Sequence, residues 1–100
     1  MSNKVIGLLG GIGPESTGLF YLKLINKFVE KFNPKANTEY PYILINSVPA
    51  PELTFNKGDK EVLLPYIEGL KLLEKNGADI IGIICNTAHL YFDILQSVYF

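Results

Sequence analysis

The sequence predicts an α/β fold, a three-layer doubly wound parallel sheet, on three observations. Val5-Ile6-Gly7-Leu8-Leu9 and Ile80-Ile81-Gly82-Ile83-Ile84 are short apolar runs without polar alternation, the pattern of strands buried on both faces. Tyr42 to Ser47 is a further strand candidate. Stretches of helical spacing separate the three, and the resulting order βαβαβα with right-handed crossovers gives a parallel sheet covered on both sides.

The elements follow in order. The first strand stops at the glycine-rich turn Gly10 to Gly13, and Pro14 suits the first helical position because its missing N–H is not needed there. Glu15 favours the positive end of the helix dipole. The helix is expected from Pro14 to Phe32, with Leu22, Ile25, Val29 and Phe32 as its inner stripe and Lys23, Lys27, Glu30 and Lys31 opposite. Asn33-Pro34 ends it. After the second strand, Val48 to Asp59 reads as a long loop and Glu61 to Asn76 as a second helix. Pro65 delays or kinks the regular part of that helix. Its inner stripe is Ile67, Leu70 and Leu73, its solvated face Glu68, Lys71 and Lys75, and its C-cap Gly77. The third strand ends at Cys85, and Ala88 to Gln96 reads as a third helix capped by Asn86 or Thr87.

Composition bounds the function. The 100 residues, 48% of them hydrophobic, suit one α/β domain spanning 1–100, able to bury roughly two thirds of its unfolded surface. A single Cys rules out an internal disulfide framework and, with one His, a thiolate-rich metal site; no metal is expected, and the placement is intracellular, hence cytoplasmic. Nine dispersed Lys, no Arg and a net charge of -1 do not make a nucleic-acid footprint. Val5 to Leu9 is too short for a signal peptide, and no stretch approaches the ~20 apolar residues of a membrane span.

In doubly wound sheets ligands bind beyond the carboxyl ends of the strands. Three segments therefore converge on one cleft: Gly10 to Gly13, Asn46-Ser47 and Cys85-Asn86-Thr87. Gly11-Ile12-Gly13-Pro14-Glu15-Ser16 is near the dinucleotide fingerprint, but Ser16 replaces its third Gly and no acidic residue ends the second strand, so a nucleotide is disfavoured. What remains is either a loop aiming N–H groups at a small anion or a tight turn that needs glycine dihedrals and nothing more. Cys85, if not simply a small buried hydrophobe, has its thiolate stabilised by the helix opening at Asn86-Thr87 and can act as base or nucleophile. Asn86 and Thr87 can cap that helix, bind a carboxylate, or share both tasks. His89 either orients the thiol or packs in the first helical turn.

The run Val5-Ile6-Gly7-Leu8-Leu9-Gly10-Gly11-Ile12-Gly13-Pro14-Glu15-Ser16-Thr17, followed by Cys85-Asn86-Thr87-Ala88-His89, resembles the amino-terminal half of the cofactor-independent aspartate/glutamate racemase family. The resemblance extends from Lys4 to about Leu95. It implies one half of a two-domain fold, with an amino-acid or dicarboxylate substrate held in the cleft between the halves. One thiolate removes the α-proton and an opposite thiol returns one, without pyridoxal phosphate or metal. On this resemblance Cys85 is one of the two thiols, Asn86 and Thr87 hold the α-carboxylate and amino groups, and the Gly11-Ile12-Gly13 turn lines the same pocket, towards which the topology also brings Asn46-Ser47 as substrate-binding candidates.

Two departures accompany the resemblance. A second domain with its cysteine is missing, so the expectation is a fragment of a chain about twice as long, or else two copies facing each other as a homodimer. Where aspartate racemases carry Pro-Asp-Arg, this chain reads Pro51-Glu52-Leu53, which puts aspartate in doubt; Lys57 or Lys60 would substitute only as point charges. The alternatives to a racemase are a single-cysteine decarboxylase or isomerase of the same superfamily, or a non-catalytic anion-binding half-domain.

Overall fold

Residues 4–11, 13–50 and 60–84 are described by a computed structural model. They form β1 (Val5–Gly10), α1 (Pro14–Phe32), a short 3-10 turn at Asn37–Glu39, β2 (Tyr42–Ser47), α2 (Lys60–Lys75) and β3 (Ile80–Ile83). The three strands are parallel in the order β2-β1-β3, so the first strand is the central one. The expected third helix, Ala88 to Gln96, lies outside the described residues.

Alternation along β1 distributes its side chains to two layers. Leu9 is fully buried in a cluster with Leu63, Tyr66, Ile67, Leu70 and Leu73 of α2. Gly7 points the same way: a Cβ there would meet Leu73, Ile81 and Ala78. Gly10, one residue out of phase with Leu9, faces Thr17 of α1 instead. The two helices thus cover opposite faces, which is the doubly wound arrangement the sequence predicts.

Local chemistry sets the helix ends. Pro14 opens α1, and Asn33, in the left-handed region at φ 47°, closes it by donating its N–H to the Val29 carbonyl. The end of α2 is a Schellman motif. Gly77 (φ 98°) donates to the Glu74 carbonyl, Ala78 donates to the Leu73 carbonyl, and Ala78 packs on the core cluster. Asp79 then ties the start of β3 to β1: its N–H donates to the Val5 carbonyl and its Oδ2 accepts from the Val5 N–H, each at 2.8 Å.

The α2 layer matches the expected stripe, with Ile67, Leu70 and Leu73 buried and Glu68, Lys71 and Lys75 exposed. The helix begins at Lys60 and continues through Pro65. The α1 layer corrects the sequence expectation. Leu22 is 55% exposed, Phe32 60%, Val29 is exposed and Ile25 half-buried, while the one buried residue of the helix is Thr17. Thr17 packs into the space left by Gly10 and brings that side of α1 to the sheet, and of the expected stripe only Ile25 is half-buried, with Leu24 and Phe28 beside it.

Candidate functional site

The carboxyl edge of the sheet is built by continuing the strand pairing into the loops. Gly10 stands opposite Ser47, and one step further the Val48 N–H donates to the Gly10 carbonyl at 2.8 Å. Gly11 follows in a conformation (φ 102°) open only to glycine, and a Cβ on it would overlap the backbone of Val48. On the other side, the Ile84 N–H donates to the Leu9 carbonyl at 2.8 Å. Residue 84 therefore sits beside the base of the glycine turn. The Gly11 turn and the Ser47-Val48 exit are in direct contact at one end of the sheet, as the topology requires of a shared cleft.

The glycine turn is closed by a side chain that the sequence reading passes over. Thr17, 5% exposed, accepts the Gly11 N–H on Oγ1 at 2.9 Å, and the hydroxyl is 3.4 Å from the Gly13 carbonyl, to which it donates. The Gly11 amide is thus bonded within the turn, and Thr17 shapes the loop from inside. The available signal was a β-branched hydroxyl four residues after Gly13, a spacing at which Ser and Thr bond back to the carbonyl of the preceding turn.

Asn46 also has a structural partner. Its side-chain amide donates to the Gly69 carbonyl of α2 at 3.1 Å. The side chain points to the α2 face, in register with Leu9, and Gly69 is the residue small enough to let β2 and Leu9 approach the helix. Ser47 is exposed at the edge and Gly13 is exposed at the N-terminus of α1. Ile12, Pro51-Glu52-Leu53, Lys57, Cys85, Asn86, Thr87 and His89 lie outside the described residues, as does the Lys60 side chain. No helix among the described residues is long and apolar enough to cross a membrane, and no cluster of three or more His, Cys, Asp or Glu is found among them.

No family model matches the chain. Over 94 residues, 93% of its length, it is 37% identical to the broad specificity amino-acid racemase RacX of Bacillus subtilis (strain 168). The structure superposes on an aspartate racemase homologue from Pyrococcus horikoshii OT3 with a TM-score of 0.76 at 38% identity, over 94% of this chain. Over nearly its whole length the chain is homologous to amino-acid racemases. A second racemase-family structure, the Picrophilus torridus aspartate racemase, matches with a TM-score of 0.69 at 28% identity over 90% of the chain. The chain spans 41% of the length of RacX and of the Pyrococcus protein and 38% of the Picrophilus racemase, about two fifths of these relatives.

Proposed function

We propose that these 100 residues are one α/β domain of a two-domain amino-acid racemase, in which Cys85 is one of two thiols flanking the substrate's Cα. The observation that carries the reading is the convergence of Gly11, Ser47-Val48 and Ile84 at one sheet edge, in a chain 37% identical to a racemase. The Cys85 thiolate takes the α-proton, breaking the C–H bond and leaving the electron pair on Cα next to the carboxylate. The second thiol, from the remainder of the protein, delivers its own proton to the opposite face. Proton donor and acceptor exchange states, so the step balances within the protein and requires no cofactor. Asn86 and Thr87 anchor the α-carboxylate, supplying hydrogen-bond donors to the charge that develops. Thiolate chemistry of this kind suits the reducing cytoplasm.

The substrate is a small amino acid, with aspartate disfavoured by Leu53. A Lys at 57 or 60 would attract a side-chain carboxylate without the two-point grip of a guanidinium.

The test uses the complete protein. Wild type should invert amino acids and incorporate deuterium at Cα in deuterated water, and Cys85→Ser should lose at least about a thousandfold in turnover, since a hydroxyl is far too weakly acidic to replace the thiolate base. A Cys85→Ser protein with wild-type turnover by circular dichroism of the amino acid would overturn the assignment.

A further inference from the structure

We infer that Thr17 is a positioning residue for the substrate cleft, acting through the glycine turn rather than by touching substrate. The inference rests on the racemase reading and adds a residue to it.

Thr17 makes three contacts with one turn. Its side chain packs onto the Gly10 backbone so closely that a Cβ on Gly10 would lie 2.6 Å from Thr17 Cγ2 and 3.0 Å from Thr17 Cβ. Its Oγ1 accepts the Gly11 N–H, and its hydroxyl proton is directed to the Gly13 carbonyl. The turn from the end of β1 to the start of α1 is thereby gripped at Gly10, Gly11 and Gly13 by a single buried side chain. On its other side Gly11 rests against the main chain of Val48, the first residue past β2.

A packing role alone would need only the shape of the side chain, and valine has that shape. The hydroxyl does something further: it satisfies the Gly11 amide in a turn whose dihedrals no other residue supports. Without it, that amide is left without its partner inside the turn, at a cost that favours conformations in which it reaches water. The loop then holds its pocket-lining geometry for only part of the time, and apparent affinity falls in proportion to that fraction. The chemistry between the thiols, once substrate is bound, is unaltered. The signature is a rise in KM with kcat retained.

The experiment compares Thr17→Val and Thr17→Ser in the complete protein, with kcat and KM for an amino acid the wild type inverts and amide hydrogen exchange at Gly11. Valine should raise KM about tenfold with kcat within about threefold, and Gly11 should lose exchange protection; serine should restore both. Thr17→Val with wild-type KM and lowered thermal stability would overturn the inference and reduce Thr17 to a structural residue. Loss of kcat and KM alike in both variants would also overturn it. A wild-type protein that inverts no amino acid overturns the racemase reading itself, an outcome separate from either result with the variants.

Discussion

The side-chain amide of Asn46 donates to the Gly69 carbonyl across 3.1 Å and joins the end of β2 to the middle of α2. Leu9 of β1 and Val48, just past β2, pack against the same turn of α2 at Gly69. A residue at the mouth of the sheet is thereby committed, on its donor side, to holding the layers together.

Replacing the donor tests that role. Asn46→Asp places a carboxylate against the Gly69 carbonyl, two acceptors facing each other, and should destabilise the complete protein by about 1–3 kcal/mol in urea unfolding. Because the effect is on the joint between layers, it should appear with or without substrate.

The two glycines flanking the first turn of α1 should respond in opposite directions. Gly11→Ala meets both a positive φ and the Val48 backbone, so a loss of at least about 2 kcal/mol is expected. Gly18 is in the interior of α1 with nothing described within 4 Å of an added Cβ, and Gly18→Ala should stabilise by roughly 0.5–1 kcal/mol through the entropy of the unfolded chain. Equal losses from both, by thermal melting, would contradict the assigned backbone geometry.

Neighbouring leucines on α2 give a similarly sharp contrast. Leu63 is buried in the core cluster and Leu64 is exposed. Leu63→Ala should cost about 2–5 kcal/mol and Leu64→Ala no more than about 0.5 kcal/mol.

Leu53→Arg addresses specificity. If position 53 occupies the place of the aspartate-pairing Arg, as the resemblance implies, the new guanidinium should raise kcat/KM for aspartate relative to alanine by about tenfold or more. An unchanged ratio would show that this loop does not face the substrate side chain.

Much of the architecture was legible because local chemistry decides it. Pro14, Asn33 and Gly77 each act within a few residues of themselves, and the stripe of Ile67, Leu70 and Leu73 on α2 is narrow enough to leave one orientation. The rotation of α1 was not legible. Its apolar residues occupy a wide arc, so spacing alone admits several inner faces, and periodicity does not encode the contact between Thr17 and Gly10 that brings one side of α1 to the sheet. The site divides in the same way. That Gly11 needs a glycine conformation follows from its sequence setting, whereas the consumption of its amide by Thr17 and the turn of Asn46 toward a helix 23 residues further on depend on partners that only the folded chain brings near.

The contact between Gly11 and Val48 is lopsided in what it demands. The three Val48 atoms nearest a Cβ on Gly11 all belong to the main chain, and those atoms are the same whichever residue occupies position 48. Position 11 is therefore restricted by atoms that no substitution at 48 removes, while the Val48 side chain is held separately, against the α2 core and Gly69. A compensating side-chain change at position 48 therefore cannot rescue a substituted Gly11, because the obstacle is peptide rather than side chain.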